Sequence, residues 1–226
     1  MGKNLTYYVN KGGAGKSTVS VHTAYVAEEW QIPTMVVSVD PQGDAAQWLT
    51  EASISDGGVY HATGCKFVRV LYSPDNVPDL DYPLVILDLP PRNDAASWAV
   101  PDAFGVPLDG RLAINDFFTV LPDMKWQRGG PGIHLTLNKA TSAGKRFVEM
   151  MKTALAGCKG CTVWEPGIED NHAIKRSSER FQPAWADPWA AKTDGVKHLR
   201  AYCEYMLRQL GFRPSDTEET RKGRGR

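Results

Sequence analysis

The chain has 226 residues, enough for one domain with a sizeable buried core. A hydrophobic share of 42% and a charged share of 23% exclude a disordered chain, and no apolar run approaches the length needed to span a bilayer. The 26 basic residues balance the 26 acidic ones, which excludes a uniformly cationic nucleic-acid binder and leaves a local basic patch as the route to phosphates.

The first residues, Met1-Gly2-Lys3-Asn4-Leu5-Thr6, fit the N-myristoylation pattern. An apolar run at 5–10 begins almost at once and reads as the first strand, so the match is taken as chance. No secretory signal is expected, because a glycine-rich stretch follows too early. That stretch is Lys11-Gly12-Gly13-Ala14-Gly15-Lys16-Ser17-Thr18, and residues 19–30 behind it read as a helix. Strand, glycine loop and helix form the context in which a phosphate-binding loop is credible. Glycines let the backbone fold so that successive amides point at one anion, and the helix dipole adds to that field. Lys16 can reach the outer phosphates, and Ser17 can offer a hydroxyl to magnesium.

A second strand is expected at 34–39, ending at Asp40, a short one at 66–71, and a buried one at 84–87, ending at Asp88. Residues 101–111, with Gly105, Pro107 and Gly110, read as a loop-like insertion. Further strands are expected at 117–121, 133–137 and 161–164, with a glycine-rich connection at 127–132. Residues 194–210 read as an amphipathic helix, with Val196, Leu199, Tyr202, Cys203, Met206 and Leu210 on one face and Gly211 as its stop. A domain at 1–212 is therefore expected, followed by a polar, disordered tail at 213–226. Alternating strands and helices predict an α/β fold, a doubly wound, mostly parallel sheet flanked by helices.

Ligands of such sheets sit at the carboxyl ends of the strands. Three signals fall there: the glycine loop, Asp40-Pro41-Gln42-Gly43-Asp44, and Asp88-Leu89-Pro90-Pro91. The last is a Walker B arrangement, in which an apolar strand delivers one carboxylate beside the phosphate loop to support magnesium. The four cysteines, Cys65, Cys158, Cys161 and Cys203, lack disulfide-framework spacing and suit a reducing cytosol. Cys158 and Cys161 form a lone CxxC with only His172 nearby as a further ligand, so a turn is expected there rather than a zinc site.

The second lysine, Lys11, at the start of the loop gives the pattern KGGxGK[ST], which resembles the deviant Walker A motif of the ParA/MinD family. Asp40-Pro41-Gln42-Gly43 looks like that family's switch I. Asp88-Leu89-Pro90-Pro91 looks like its Walker B and switch II, and Leu135-Thr136-Leu137-Asn138-Lys139 resembles the strand whose asparagine helps hold adenine. The resemblance spans about residues 1–210 and implies a P-loop ATPase with ATP and Mg2+ as cofactors. It implies that Lys11 reaches the nucleotide of the other subunit of a homodimer. Gly12, Gly13, Ala14, Gly15, Lys16, Ser17 and Thr18 would cradle the phosphates, with Lys16 on the β and γ oxygens. Asp40 would orient the attacking water, the metal set would be Ser17, Asp40 and Asp88, and Asn138 would touch the base. Four departures stand out: Leu89 replaces a small residue, Arg92-Asn93-Asp94 follows the double proline, no arginine follows the last strand, and residues 101–111 lack a clear counterpart.

The family's ATPases position cargo through an ATP-dependent sandwich dimer, a surface that the dimer holds, and a centromere-binding or adaptor protein that stimulates hydrolysis. The absence of an N-terminal helix-turn-helix resembles the short ParA proteins, which bind DNA without sequence preference. This implies a cytoplasmic, nucleoid-associated protein. Lys175, Arg176 and Arg180 on one expected helix, and Lys197, Arg200 and Arg208 on another, are the candidates for DNA phosphates. A charged helix face is also what simple solvation produces. Trp164, Trp185 and Trp189 read as core or interface residues. Two rivals remain: a metabolic ATP-dependent enzyme on the same scaffold, similar to dethiobiotin synthetase, and a MinD-like membrane regulator. The polar tail, which lacks an apolar face, argues against the membrane.

Overall fold

The computed structural model describes residues 2–54, 57–109, 117–119, 121, 132–140 and 144–214. Its strands are β1 (Lys3–Tyr7), β2 (Thr34–Ser38), β3 (Gly58–His61), β4 (Val68–Tyr72), β5 (Leu84–Asp88), β6 (Ala103–Leu108), β7 (Gly132–Ala140) and β8 (Cys161–Glu169). Its labelled helices are α1 (Lys16–Glu29), α2 (Asp44–Thr50), α3 (Gly144–Leu155), α4 (His172–Ser177) and α5 (Asp194–Gln209). The strands form one sheet in the order β3-β4-β2-β5-β1-β6-β7-β8, parallel except for β3, which pairs antiparallel with β4. The expected doubly wound parallel architecture is the observed one.

The inner strands β2, β5 and β6 are buried at every residue, as strands covered on both faces must be. Alternate residues feed two cores. Leu5, Tyr7, Val36, Leu84 and Ile86 pack with α1, α2 and α5, while Met35, Val37, Val85 and Leu87 pack on the opposite face with Met151 and Leu155 of α3. Helix α1 lies between the sheet and its neighbours and is buried continuously from Val19 to Ala27. That is why it shows no single apolar stripe, with apolar and small residues on every side and the buried His22 and Tyr25 among them. Helix α5 is the amphipathic element expected, with Val196, Leu199, Tyr202, Cys203 and Met206 buried. Burying Leu199 or Met206 contributes roughly 1.5–3 kcal/mol each.

Two expectations fail. Residues 103–108, read as part of a loop-like insertion, are the strand β6 next to β1 in the middle of the sheet. Gly105 is required there, because a Cβ would lie 2.2 Å from the Tyr7 ring. Pro107 is tolerated because β1 pairs only with Ala103–Gly105, and Gly105 already turns its carbonyl toward the β1 side to accept from the Tyr8 N–H. Backbone groups alternate sides, so the N–H that Pro107 lacks would point past the end of β1.

The strand expected at 117–121 is helical at 117–119, with the Leu121 N–H donating to the Phe117 oxygen at 2.9 Å. Phe117 is fully buried in the second core. A short apolar run reports burial and does not by itself distinguish strand from helix.

The short edge strand β3 gave no signal in the sequence, and β8 runs five residues beyond the expected 161–164. Residues 110–111, 120, 127–131 and 215–226, on which parts of the expected insertion, strand, connection and tail fall, lie outside the described residues. Among the described residues no helix is long and apolar enough to cross a membrane.

Candidate nucleotide site

Strand β1 delivers the glycine loop to the carboxyl edge of the sheet, and α1 starts inside it. Gly15 caps α1 at φ 100° with no side-chain acceptor, so the first amides of a 14-residue helix have no capping side chain. Gly13 (φ 71°) and Gly15 take left-handed backbone that an L-residue resists, and the space over Gly12 and Gly13 is open for 4 Å. The expected glycine loop thus lies between β1 and α1 with its backbone open on one side.

Lys16 is 6% exposed, and its Nζ donates to the Lys11 oxygen at 3.2 Å. Burial lowers its pKa against the opposing pull of Asp88, Asp40 and Asp44, so an anion in the cleft would supply the counter-charge that burial withholds. Asp88, at the end of β5, is fully buried. Its Oδ1 accepts from the Ser20 hydroxyl at 3.2 Å, and its Oδ2 has no hydrogen-bond partner of good geometry. Burial pushes its pKa up to about 6, although the nearby Ser17 hydroxyl and Lys16 ammonium pull the other way. A buried carboxylate with one unpartnered oxygen, near the Ser17 hydroxyl, suits a hard, oxygen-seeking cation such as Mg2+. Among the described residues no cluster of three or more His, Cys, Asp or Glu could cage a metal, so such a cation would take most of its ligands from phosphate and water.

Asp40 follows β2 and shapes residues 40–43 as a turn, with its Oδ1 accepting from the Gln42 N–H at 3.0 Å and its main-chain oxygen from the Gly43 N–H at 2.9 Å. It lines one open cleft with Gly12, Gly13, Gly15, Lys16, Ser17, Thr18, Gln42, Asp44 and Pro91. The structure thus assembles the predicted loop and Asp40 around one space. Leu89, at the position of the expected small residue, is fully buried in the second core. Arg92 is held by Asp75 and Asp94 and stacks on Trp98 at 4.8 Å.

Lys11 does not enter the cradle. Its Nζ donates to the Asp109 oxygen at 3.1 Å, just beyond β6. Asn138 donates its Nδ2 to the Ala14 oxygen at 2.7 Å. A second cleft adjoins the loop, walled by Gly13, Gly15, Thr18, Trp48, Asn138, Lys139, Glu169, Asp170, Asn171, Ile174, Lys175 and Ser178. Sequence reading missed Lys139, Asp109 and the 169–171 wall. Lys139 had one signal, its place directly after Asn138 at a strand end; Asp109 had none, because β6 went unread.

The six DNA candidates all carry carboxylate partners: Lys175 with Asp170, Arg176 with Glu179, Arg180 with Asp187, Lys197 with Asp194, and Arg200 and Arg208 with Glu204. Lys175 lines the second cleft, and Arg200 also reaches Glu29 at 2.5 Å and stacks on Trp185. Trp164 and Trp185 pack against the first core, whereas Trp189 is 80% exposed and does not take the core role. Cys158 and Cys161 are free, and burial with the neighbouring Cys158 thiol pushes Cys161 up to about 12, too high for a ready thiolate.

No protein-family model matches the chain, and no curated protein sequence matches it. Solved structures do. The ATP complex of McdA from Cyanothece superposes with a TM-score of 0.73 at 13% identity, covering 94% of this chain and 97% of that one. The septum site-determining protein MinD from Pyrococcus horikoshii, complexed with Mg-ADP, gives 0.70 at 14% identity over 93% and 98%. Cobyrinic acid a,c-diamide synthase from Mycobacterium smegmatis, with bound ADP and magnesium, gives 0.61 at 15% identity over 95% and 98%. The fold is therefore the P-loop α/β fold of MinD and McdA.

Proposed function

We propose that this chain, with the fold of MinD and McdA, is a magnesium-dependent ATPase of the ParA/MinD kind that works as a positioning switch. ATP closes two copies into a sandwich dimer, the dimer holds DNA without sequence preference, and a partner protein stimulates hydrolysis and release of the cargo. One observation carries the reading: the loop's two lysines do different things. Lys16 is buried within the cradle, while the Lys11 ammonium stands outside it on Asp109. A lysine that the cradle does not need in its own chain is suited to the nucleotide of a second copy.

The loop amides from Gly12 to Thr18 bind the phosphates and Lys16 neutralises the outer oxygens. Ser17 and Asp88, with Asp40 at the rim, would hold the magnesium, which when bound supplies charge neutralisation across the phosphates. Asp40 orients the attacking water, and Asn138, in the wall of the second cleft, contacts the base. The six basic residues would reach DNA by exchanging carboxylate partners for phosphates, so the interaction is shallow and salt-sensitive.

Sedimentation with and without ATP and magnesium tests this: ATP-dependent dimers are expected, and a chain that stays monomeric overturns the switch. The rival, an ATP-dependent synthase on the same scaffold, is favoured by a third cleft beside Ser17 and Thr18, walled by Asp44, Gln47, Trp48, Ser178 and Phe181, which could take a co-substrate. Phosphate release indifferent both to DNA and to protein concentration would select it.

A further inference from the structure

Two consecutive residues at the end of β7 grip two consecutive carbonyls of the phosphate loop. Asn138 Nδ2 donates to the Ala14 oxygen at 2.7 Å, and Lys139 Nζ donates to the Gly13 oxygen at 3.0 Å. Lys139 sits at a break in the β7–β8 register with φ 55°, which lifts it out of the strand's alternation. Its ammonium is steadied by Asp109 Oδ2 at 3.1 Å.

A trans peptide points its N–H opposite its C=O. The Gly13 carbonyl shares its peptide with the Ala14 N–H, and the Ala14 carbonyl shares its own with the Gly15 N–H. Drawing both oxygens toward β7 therefore turns both amides away from it. Gly13 and Gly15 lower the cost of flipping these planes, since of the three residues that bound them only Ala14 carries a Cβ. Gly15 itself leaves no room for a side chain, because a Cβ would lie 2.3 Å from Asn138 Nδ2.

We propose that Asn138 and Lys139 are positioning residues of the phosphate loop, fixing the Ala14 and Gly15 amides toward a polyphosphate, with Asp109 setting the Lys139 ammonium. The inference rests on the nucleotide reading and adds to the base contact of Asn138 a role that needs no base.

Inorganic tripolyphosphate, which has phosphates and no base, separates the two. Titration calorimetry on the wild type, Asn138→Ala and Lys139→Met should show both variants binding tripolyphosphate about tenfold more weakly, in proportion to their loss for ATP, with melting temperatures within a few degrees of wild type. Lys139→Arg, which keeps the charge and a donor, should recover part of the loss. Asn138→Ala changes no charge, so its effect cannot come from long-range attraction. Folded variants that bind tripolyphosphate like the wild type overturn the positioning role while leaving nucleotide binding intact. A wild type that binds neither ATP nor tripolyphosphate overturns the nucleotide reading and this inference with it.

Discussion

Lys11 donates to the main-chain oxygen of Asp109 within its own chain, at 3.1 Å, and so stands apart from the cradle that Lys16 fills. Removing it should therefore cost the single chain little. Lys11→Ala is expected to bind ATP within about threefold of wild type and to lose ATP-dependent dimers. Calorimetry paired with sedimentation reads both; a variant that still dimerises contradicts the role in the second subunit.

Lys16 and Asp40 should separate binding from turnover. Lys16→Ala removes the buried ammonium and should weaken ATP at least a hundredfold, about 2.7 kcal/mol or more. Asp40→Ala should bind ATP normally, slow phosphate release, and accumulate dimers. An Asp40→Ala chain that is monomeric with ATP would sink the assignment.

Asp88 makes the fold sensitive to pH. Its carboxyl is raised to about 6 from an unfolded value of 3.8, so between these values the folded chain holds the extra proton. This group's stabilisation is full below the unfolded value, is lost as pH rises to about 6, and stays lost above it. Asp88→Asn should raise stability by roughly 1–3 kcal/mol at pH 7.5 and by much less at pH 4, while weakening the magnesium dependence of turnover. Urea midpoints of both proteins at the two pH values check this; an equal gain at both would exclude the buried charge as its cause.

His22 works in the opposite sense. It is fully buried, and desolvation lowers its pKa to about 4. Its Nε2 accepts from the Ala184 N–H at 3.0 Å, which leaves the proton on Nδ1 to donate to the Thr18 oxygen at 2.7 Å. Its contribution is complete above its unfolded pKa and is lost as pH falls from about 6.5 to 4. His134, also lowered to about 4 by burial, adds to the same loss. His22→Phe should cost roughly 2–4 kcal/mol at pH 7 and flatten this acid limb. An unchanged limb in denaturant titrations would show that His22 does not carry it.

Neutralised charge limits the DNA surface. Each of the six basic candidates already faces a carboxylate, so Arg180→Ala, which also frees Asp187, should change DNA affinity by less than about threefold. A salt slope that does not change at all in this variant would show that Arg180 takes no phosphate from DNA.

Where chemistry is local, this sequence was legible. The phosphate loop needs glycines at fixed spacing before a helix; α5 needs a periodic apolar face; β5 needs a continuous apolar run ending in a carboxylate. Each is written within fewer than 20 residues. Strand β6 was not, because Gly105 and Pro107 are poor strand residues taken alone. They become acceptable only once the Tyr7 ring fills the space over Gly105 and β1 ends before Pro107. The ties from Asn138 to Ala14, Lys139 to Gly13 and Lys11 to Asp109, and the pairing of Arg200 with Glu29, join residues far apart in the chain. By itself the sequence set the glycine cradle between β1 and α1 and the carboxylate that ends β5. The tertiary structure decided which groups hold that cradle open and which charges are already taken, because those depend on how distant strands are packed side by side.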